Sequence, residues 1–406
     1  MRACGIIAEY NPCHNGHAYH IEETRKRTQT DCVIVAMSGS FVQRGEPAFL
    51  DKSIRTQMAL SIGADLVIEL PVWSATDSAQ GFARGGVALM KSLPGLTHLS
   101  FGTECEDLTL LKRIAKILAD ESEEYKKAYK SFLKIGENAG LARSHALSSL
   151  LKEEEISGIL NGPNNILALE YLIAMKQLDV SFEALGIPRK GSGYHEGPTG
   201  SDFCSAEWLR SLDFKTLTKA EAYLPDGVLS ELLRFPYPIL PDDLSSELRY
   251  LLATEKNFSK YSGISEELSN KIRKYQFSGK QGTFSDTIKA LKSRDLTYTH
   301  VSRSLLHAVL GLCKEDVPDY KDFSEGFPYL RLLGMNERGR AYLHEKKDEI
   351  SSVLITESSS ADTLLPEKIL RLFYADCRAT NIYRNLVMTK YGVDLPDEFR
   401  RKVIRL

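Results

Sequence analysis

Five short apolar runs recur along the first half of the chain: ACGIIA (3–8), CVIVAM (32–37), DLVIEL (65–70), THLSFG (97–102) and FEALGI (182–187). None alternates polar with apolar residues over its length, and each is bounded by polar residues, glycine or proline. That is the pattern of strands covered on both faces, as in a parallel sheet. HAYHIEETRKRT follows the first run and DKSIRTQMALSIG the second, and both carry helical signals. Alternating strand and helix predicts an α/β fold, a Rossmann-like doubly wound parallel sheet. Past residue 220 the pattern changes. LPDGVLSELLRFPYPILPDDLSSELRYLLA sets proline breaks among helical stretches, and few strand-like runs follow. The expectation is an α/β domain over 1–220 and a mainly helical domain over 221–406, since 406 residues exceed what one core usually supports.

Composition removes several function classes. No apolar run approaches the about 20 residues of a membrane helix, so no membrane is expected as a partner. The seven cysteines are dispersed without a C-x-x-C pair, which argues for reduced thiols and a cytoplasmic location and against a cysteine metal site. Net charge is −2, so contact with nucleic acid requires a local patch. One stretch qualifies: between Lys271 and Arg303 there are eight Lys/Arg against two acids, interleaved with Tyr275, Phe277, Phe284 and Tyr298. Cations with aromatics suit phosphate neutralisation and base stacking, and equally describe a solvated helical face.

The densest chemistry follows the first strand, in EYNPCHNGHAYH (9–20). His14, His17 and His20 at i, i+3, i+6 fan around a helix rather than converge, and no second Cys/His cluster completes a tetrahedral shell, so no metal is expected there. A phosphate fits the neighbours better. A strand, a turn with Pro12 and Gly16, then a helix beginning near His17 aims free N–H groups and a positive dipole end at an anion. Surface histidines in a turn remain the bland alternative.

H-N-G-H after a first strand resembles the H-x-G-H signature of the nucleotidylyltransferase superfamily. GIIAEYNPCHNGHAYH, MSGSFVQRGEPAFLDKSIR, ADLVIELP, FGTE, PNNILALEYL, LTYTHVSRSLLH and LLGMNERGRAYL, in this order, together resemble the bacterial tRNA(Met) cytidine acetate ligase family. Cys13 departs from the aromatic residue expected after the proline. The resemblance implies a nucleotidylyltransferase-type sheet, ATP as substrate with Mg2+, acetate as second substrate and elongator tRNA(Met) as partner. It implies that acetate attacks the α-phosphate and that the resulting acetyl-adenylate acetylates N4 of the wobble cytidine. His14 and His17 would be catalytic.

Within that frame the ATP loop is Ile7, Ala8, Glu9, Tyr10, Asn11, Pro12, Cys13, His14, Asn15, Gly16, His17, Ala18, Tyr19 and His20. Gly102 would let adenine or ribose approach, or merely end a strand. Asn164 and Asn165 would cap a helix or meet the nucleotide, and Arg189 ends the fifth strand on the same sheet edge. Ser205 and Arg210 in FCSAEWLR match a superfamily element that grips triphosphate. Ser40, Gln43 and Arg44 would hold acetate or pyrophosphate. Asp51 would cap the next helix, with Lys52 and Arg55 reaching ligand phosphates. For tRNA the candidates are Lys271, Arg273, Lys274, Arg294 and Arg303. Arg338 and Arg340 belong either to the RNA face or to a helix start packed between domains. Two other functions fit the same motifs: adenylylation of a small metabolite without RNA, and a tRNA-binding protein without chemistry.

Overall fold

The computed structural model describes residues 1–406 apart from 106–107, 138, 152–155, 157–159, 161, 190–202, 213, 280–281 and 318–322. Ten strands are described: β1 Ala3–Ala8, β2 Cys32–Ser38, β3 Phe41–Val42, β4 Glu46–Pro47, β5 Leu66–Leu70, β6 Leu96–Thr103, β7 Glu183–Pro188, β8 Tyr329–Met335, β9 Val353–Ile355 and β10 Ile404–Arg405. Eight of them form one sheet in the order β10-β8-β5-β2-β1-β6-β7, with β9 also on β8, while β3 and β4 make a separate hairpin. The block β5-β2-β1-β6-β7 is parallel throughout, so the five apolar runs read from the sequence are its five strands.

Successive residues feed cores on opposite faces of this sheet. Ile34, Ala36, Leu66 and Ile68 pack on one side; Val33, Val35, Met37 and Val67 pack on the other. The second face is covered by Ile21 of the helix Asn15–Thr28 and by Ile54 and Met58 of the helix Lys52–Ser61. The first is covered by the helices Ala79–Lys91, Pro163–Gln177 and Glu367–Tyr391. Chain order runs outward from β1 in one direction through β2 and β5, and in the other through β6 and β7. The reversal falls between β1 and β6, where open α/β sheets leave a crevice beyond the strand ends.

Residues 221–406 are mainly helical, but they also contribute β8, β9 and β10 to the same sheet. β8 lies antiparallel on β5, pairing Leu66 with Met335 and Glu69 with Arg331. A charged residue in mid-strand hid this element from the apolar pattern. Arg331 is 3% exposed, and its Nε donates to Glu398 Oε1 at 3.1 Å. Glu398 also meets Lys52 Nζ at 2.7 Å, and Lys52 reaches both Glu69 oxygens at 2.8 Å. Arg401 grips Asp51 through two bonds of 2.7 and 2.8 Å. Glu398 and Arg401, just before β10, thus lock the C-terminal segment onto the start of the second helix through buried ion pairs.

Candidate active site

A cavity of about 720 Å³ opens at the β1/β6 reversal. Its walls come from the end of β1, the start of the helix Asn15–Thr28, the β3–β4 hairpin, the ends of β6 and β7, the helices Pro163–Gln177 and Ala206–Ser211, and the helix Tyr298–Leu310. The last of these brings Thr299 and Arg303 from the C-terminal half of the chain.

The histidines line the cavity where the first helix begins. His14 caps the first helix: its Nδ1 accepts from Gly16 N at 3.1 Å, and its own N–H donates to His17 Nδ1 at 3.3 Å. The two rings stack with centroids 3.8 Å apart. Burial, with Arg189 and then Arg210 nearby, lowers the His14 pKa to about 3. Burial and the neighbouring histidines push His17 well below its usual value, so both rings are neutral at pH 7. A neutral imidazole whose Nδ1 accepts must carry its proton on Nε2. Neither Nε2 has a protein partner among the described residues. The helix start therefore presents two neutral N–H donors with the backbone setting their tautomer. Gly16 is required here, because a Cβ would come within 2.9 Å of the His14 ring.

His20 plays a different part. Its Nε2 meets Ser100 Oγ at 2.9 Å, which in turn meets Thr24 Oγ1 at 2.6 Å, and burial lowers its pKa to about 4. It forms the floor between the first helix and β6. Ile7, Ala8, Glu9, Tyr10, Asn11 and Tyr19 line the cavity as well, whereas Pro12, Cys13, Asn15, Asn165, Ala18 and Ser40 do not. Cys13 is buried beneath the turn, and Asn15 Nδ2 donates to Ala222 O at 2.9 Å. Ser40 is 4% exposed, and its hydroxyl has no partner among the described residues; its neighbours Gln43 and Arg44 do line the cavity.

Two arginines face the histidines. Arg189 follows β7 and lies over Gly102, which sits inside β6 rather than after it. Arg210 donates to Asn11 O at 2.7 Å, and Ser205 caps its short helix by accepting from Trp208 N. Asn164 and Asn165 are not the caps of their helix, as either could have been; the cap position is Gly162. Glu104 serves instead, its carboxylate accepting from Asn164 N, Asn164 Nδ2 and Asn165 N, while Asn165 Oδ1 accepts from Glu104 N at 2.9 Å. Asn165 faces inward, so only Asn164 meets the cavity.

Lys52 and Arg55 do not reach ligand phosphates. Asp51 caps their helix as expected, accepting from Ser53 N. Lys52 is consumed by Glu69 and Glu398, and Arg55 by the carbonyls of Leu50, Glu9, Ser38 and Gly39. Both lie beneath the site, 1% and 0% exposed, and hold its loops. Of the tRNA candidates, Arg273, Lys274 and Arg294 are exposed and Lys271 pairs with Glu267 at 2.9 Å; Lys280 of that stretch lies outside the described residues. Arg303 stands apart from them in the cavity wall. Arg338 and Arg340 are exposed on a helix whose cap, Asn336, donates to Asp65 Oδ1 at 2.9 Å and anchors it to the sheet.

Sequence reasoning passed over Glu46, Tyr171 and Thr299. Tyr171 had a signal: Asn164, Leu167 and Tyr171 sit at i, i+3, i+7 and all three line the cavity. Glu46 had none, since only the hairpin turn brings it there. Burial raises its carboxyl pKa, against the pull of Arg210 and Arg44.

The HIGH Nucleotidyl Transferase family model matches residues 1–394. A tRNA(Met) cytidine acetate ligase from Thermoanaerobacter sp. (strain X514) is 40% identical over 389 residues, covering 94% of this chain and 95% of the relative. One from Caldanaerobacter subterraneus subsp. tengcongensis is 38% identical over 404 residues, 98% of each. Among solved structures, Thermotoga maritima TmcAL bound with alpha-thio ATP matches with a TM-score of 0.89 at 30% identity over all of both chains. Its apo form matches at 0.91 and 29% identity, again over both whole chains.

Proposed function

Because this chain belongs to the HIGH nucleotidyl transferases and, among them, to the tRNA(Met) cytidine acetate ligases, which are ATP-dependent tRNA-modifying ligases, we propose that it activates acetate as acetyl-adenylate and acetylates N4 of the wobble cytidine of elongator tRNA(Met). One observation carries this reading beyond the family: His14 and His17 are held neutral with Nε2–H donors, in a cavity that also contains Arg189 and Arg210.

In the first step a carboxylate oxygen of acetate attacks the α-phosphorus and pyrophosphate departs. Charge accumulates on the equatorial oxygens of the α-phosphoryl group, and donors aimed at that charge lower the barrier more than they favour bound ATP. Neutral donors suit this position, because they bind the transition state without holding the product adenylate by full charge. Arg189 and Arg210 supply the full charges, against the rest of the triphosphate. Gln43 and Arg44 approach from the hairpin, where they would hold acetate or the leaving pyrophosphate, with Phe82 as apolar surface for a methyl group.

Magnesium, the usual companion of a triphosphate, takes hard oxygen ligands and keeps several waters. Glu46 offers such an oxygen: it lines the cavity, and burial raises its carboxyl pKa more than Arg210 and Arg44 lower it, so a bound cation would favour its ionised form. A bound ion would there supply charge neutralisation to the phosphates.

The test is a reaction with α-labelled ATP, acetate and tRNA(Met), omitting one component at a time. AMP release that needs both acetate and tRNA, with N4-acetylcytidine in the digested RNA, is the expected result. AMP transfer without acetate would instead make the chain an adenylyltransferase of another acceptor.

A further inference from the structure

The cavity wall also holds a carboxylate, Glu9, to which the adenylation step gives no part. Glu9 extends β1 into this wall. Its backbone carbonyl accepts from Arg55 Nη1 at 2.7 Å, and its Oε1 accepts from Gln43 N at 2.8 Å. A carboxylate so pinned, at the backbone by a buried arginine and at the side chain by a hairpin, has little freedom to move. Gln43, Arg44, Tyr171 and Arg303 line the same cavity. Burial raises the Tyr171 pKa, and Tyr171 lies close enough for the Glu9 carboxylate to raise it further. The hairpin is itself clamped: Ser302 Oγ donates to Gly45 O at 2.9 Å. Gly45 has φ 79°, and a Cβ there would fall 2.4 Å from Arg303 N, so the hairpin tip lies directly on the helix Tyr298–Leu310.

The cavity therefore combines a fixed acceptor, cationic donors and aromatic surface from Tyr171 and Phe101, whose ring centroids are 5.5 Å apart. Those are the requirements for the Watson–Crick edge of an unstacked cytosine. Its N4 amine donates, its N3 and O2 accept, and a carboxylate is the usual partner of the amine. Uracil would set a carbonyl oxygen against the same carboxylate and be repelled. The helix Tyr298–Leu310, which contributes Thr299 and Arg303 to the same cavity, lies in the half of the chain that carries the exposed cations.

We propose, building on the acetate-ligase reading, that Glu9 receives the target cytosine: its carboxylate accepts a hydrogen bond from the N4 amine and takes the proton that nitrogen loses on acetylation. In this step the N4 nitrogen forms a bond to the acetyl carbonyl carbon. The bond from that carbon to the phosphate oxygen of AMP breaks, AMP leaves with the electron pair, and the N4 proton passes to a Glu9 carboxylate oxygen. The bond from Gln43 N holds Oε1 and aims the second oxygen, which makes Gln43 a positioning residue.

Glu9→Gln tests this with little disturbance, since the amide oxygen still accepts from Gln43 N. Two rates separate the half-reactions. One is acetate-dependent exchange of pyrophosphate into ATP; the other is single-turnover transfer from synthetic acetyl-adenylate to tRNA(Met). General-base contributions of about 10²–10⁴-fold are typical. The variant should lose transfer by roughly 100-fold or more, and by at least tenfold more than it loses exchange. Glu9→Asp, which keeps the carboxylate, should recover part of the transfer rate. Equal losses in the two assays, or transfer at the wild-type rate, would overturn the role of Glu9 while leaving the ligase reading intact. A wild-type protein that transfers no acetyl group from acetyl-adenylate would sink the ligase reading itself, and this role with it.

Discussion

At the scale of single residues the site depends on neutral histidines. Replacing His17 by alanine removes the Nε2–H donor proposed to meet the α-phosphoryl group and one acceptor for the His14 N–H. A preorganised donor of this kind is worth about 3–4 kcal/mol, so adenylate formation should fall by roughly 10²–10³-fold. Binding of tRNA, followed by filter retention, should not change, because the residue lies among the groups proposed to hold ATP. Full exchange activity would remove His17 from the mechanism. The same burial has a pH signature. His14, His17 and His20 have folded pKa values below the ordinary 6.5 of an unfolded chain. Between about pH 6.5 and 4 the unfolded state then binds more protons, and stability falls as pH falls. Their contribution is complete above that window. Melting temperatures recorded from pH 7.5 down to 5 should drop, and the drop should shrink when His14→Asn, His17→Asn and His20→Gln are combined. Asparagine at position 14 keeps a capping side chain. An unchanged slope would place the titrating groups elsewhere.

At the scale of elements, the helix Pro163–Gln177 shows how a cap serves a site. Glu104 satisfies its first N–H groups and orients Asn164 in the cavity wall. Glu104→Ala should cost about 1–2 kcal/mol of stability through the lost cap. It should also raise the KM for ATP while moving kcat less, because Asn164 loses its hold. An unaltered KM would mean that Asn164 only borders the cavity. The asparagines themselves were legible in the sequence as residues of a helix start, but which group capped them was not, since Glu104 is about 60 residues distant. The basic stretch 271–303 divides at this scale too. Exposed Arg273 and Lys274 are free of the ion pair that engages Lys271. Replacing the three together should weaken tRNA binding and lower the salt slope by about one to two units, with roughly 0.7–0.9 per phosphate contact. Binding with an unchanged slope would reduce the stretch to a solvated face.

At the scale of the whole molecule, the C-terminal segment around Glu398 and Arg401 closes a charge network beneath the loops of the cavity. Glu398 is 1% exposed and bonds Lys52, Arg331 and Thr380. Burial would raise its carboxyl pKa, but Lys52 and Arg331 outweigh this and hold it at about 2. Removing one member of such a group leaves buried charge uncompensated, which costs about 3–5 kcal/mol. Glu398→Ala should therefore lower the melting temperature by several degrees and weaken ATP binding through Lys52 and the helix it starts. A melting temperature equal to wild type would mean that solvent reaches the network when the carboxylate is gone.

The sequence by itself determined what is local and periodic. Unbroken apolar runs became the five parallel strands because a strand covered on both faces admits few polar residues. The H-x-G-H turn became a helix start because its cap, its glycine and its histidines interact within four residues. Tertiary structure alone decided what depends on distant neighbours. β8 is a strand in spite of a buried arginine, because Glu398, some 67 residues later, neutralises it. Lys52 and Arg55 look like phosphate ligands in the sequence and are structural, because their partners come from β5, from the C-terminal tail and from loop carbonyls. Arg303 reads as part of a basic surface, yet the contact of the hairpin with its helix turns it into a wall of the cavity. The character of a charged side chain depends on which charges fold against it, and a one-dimensional pattern does not carry that pairing.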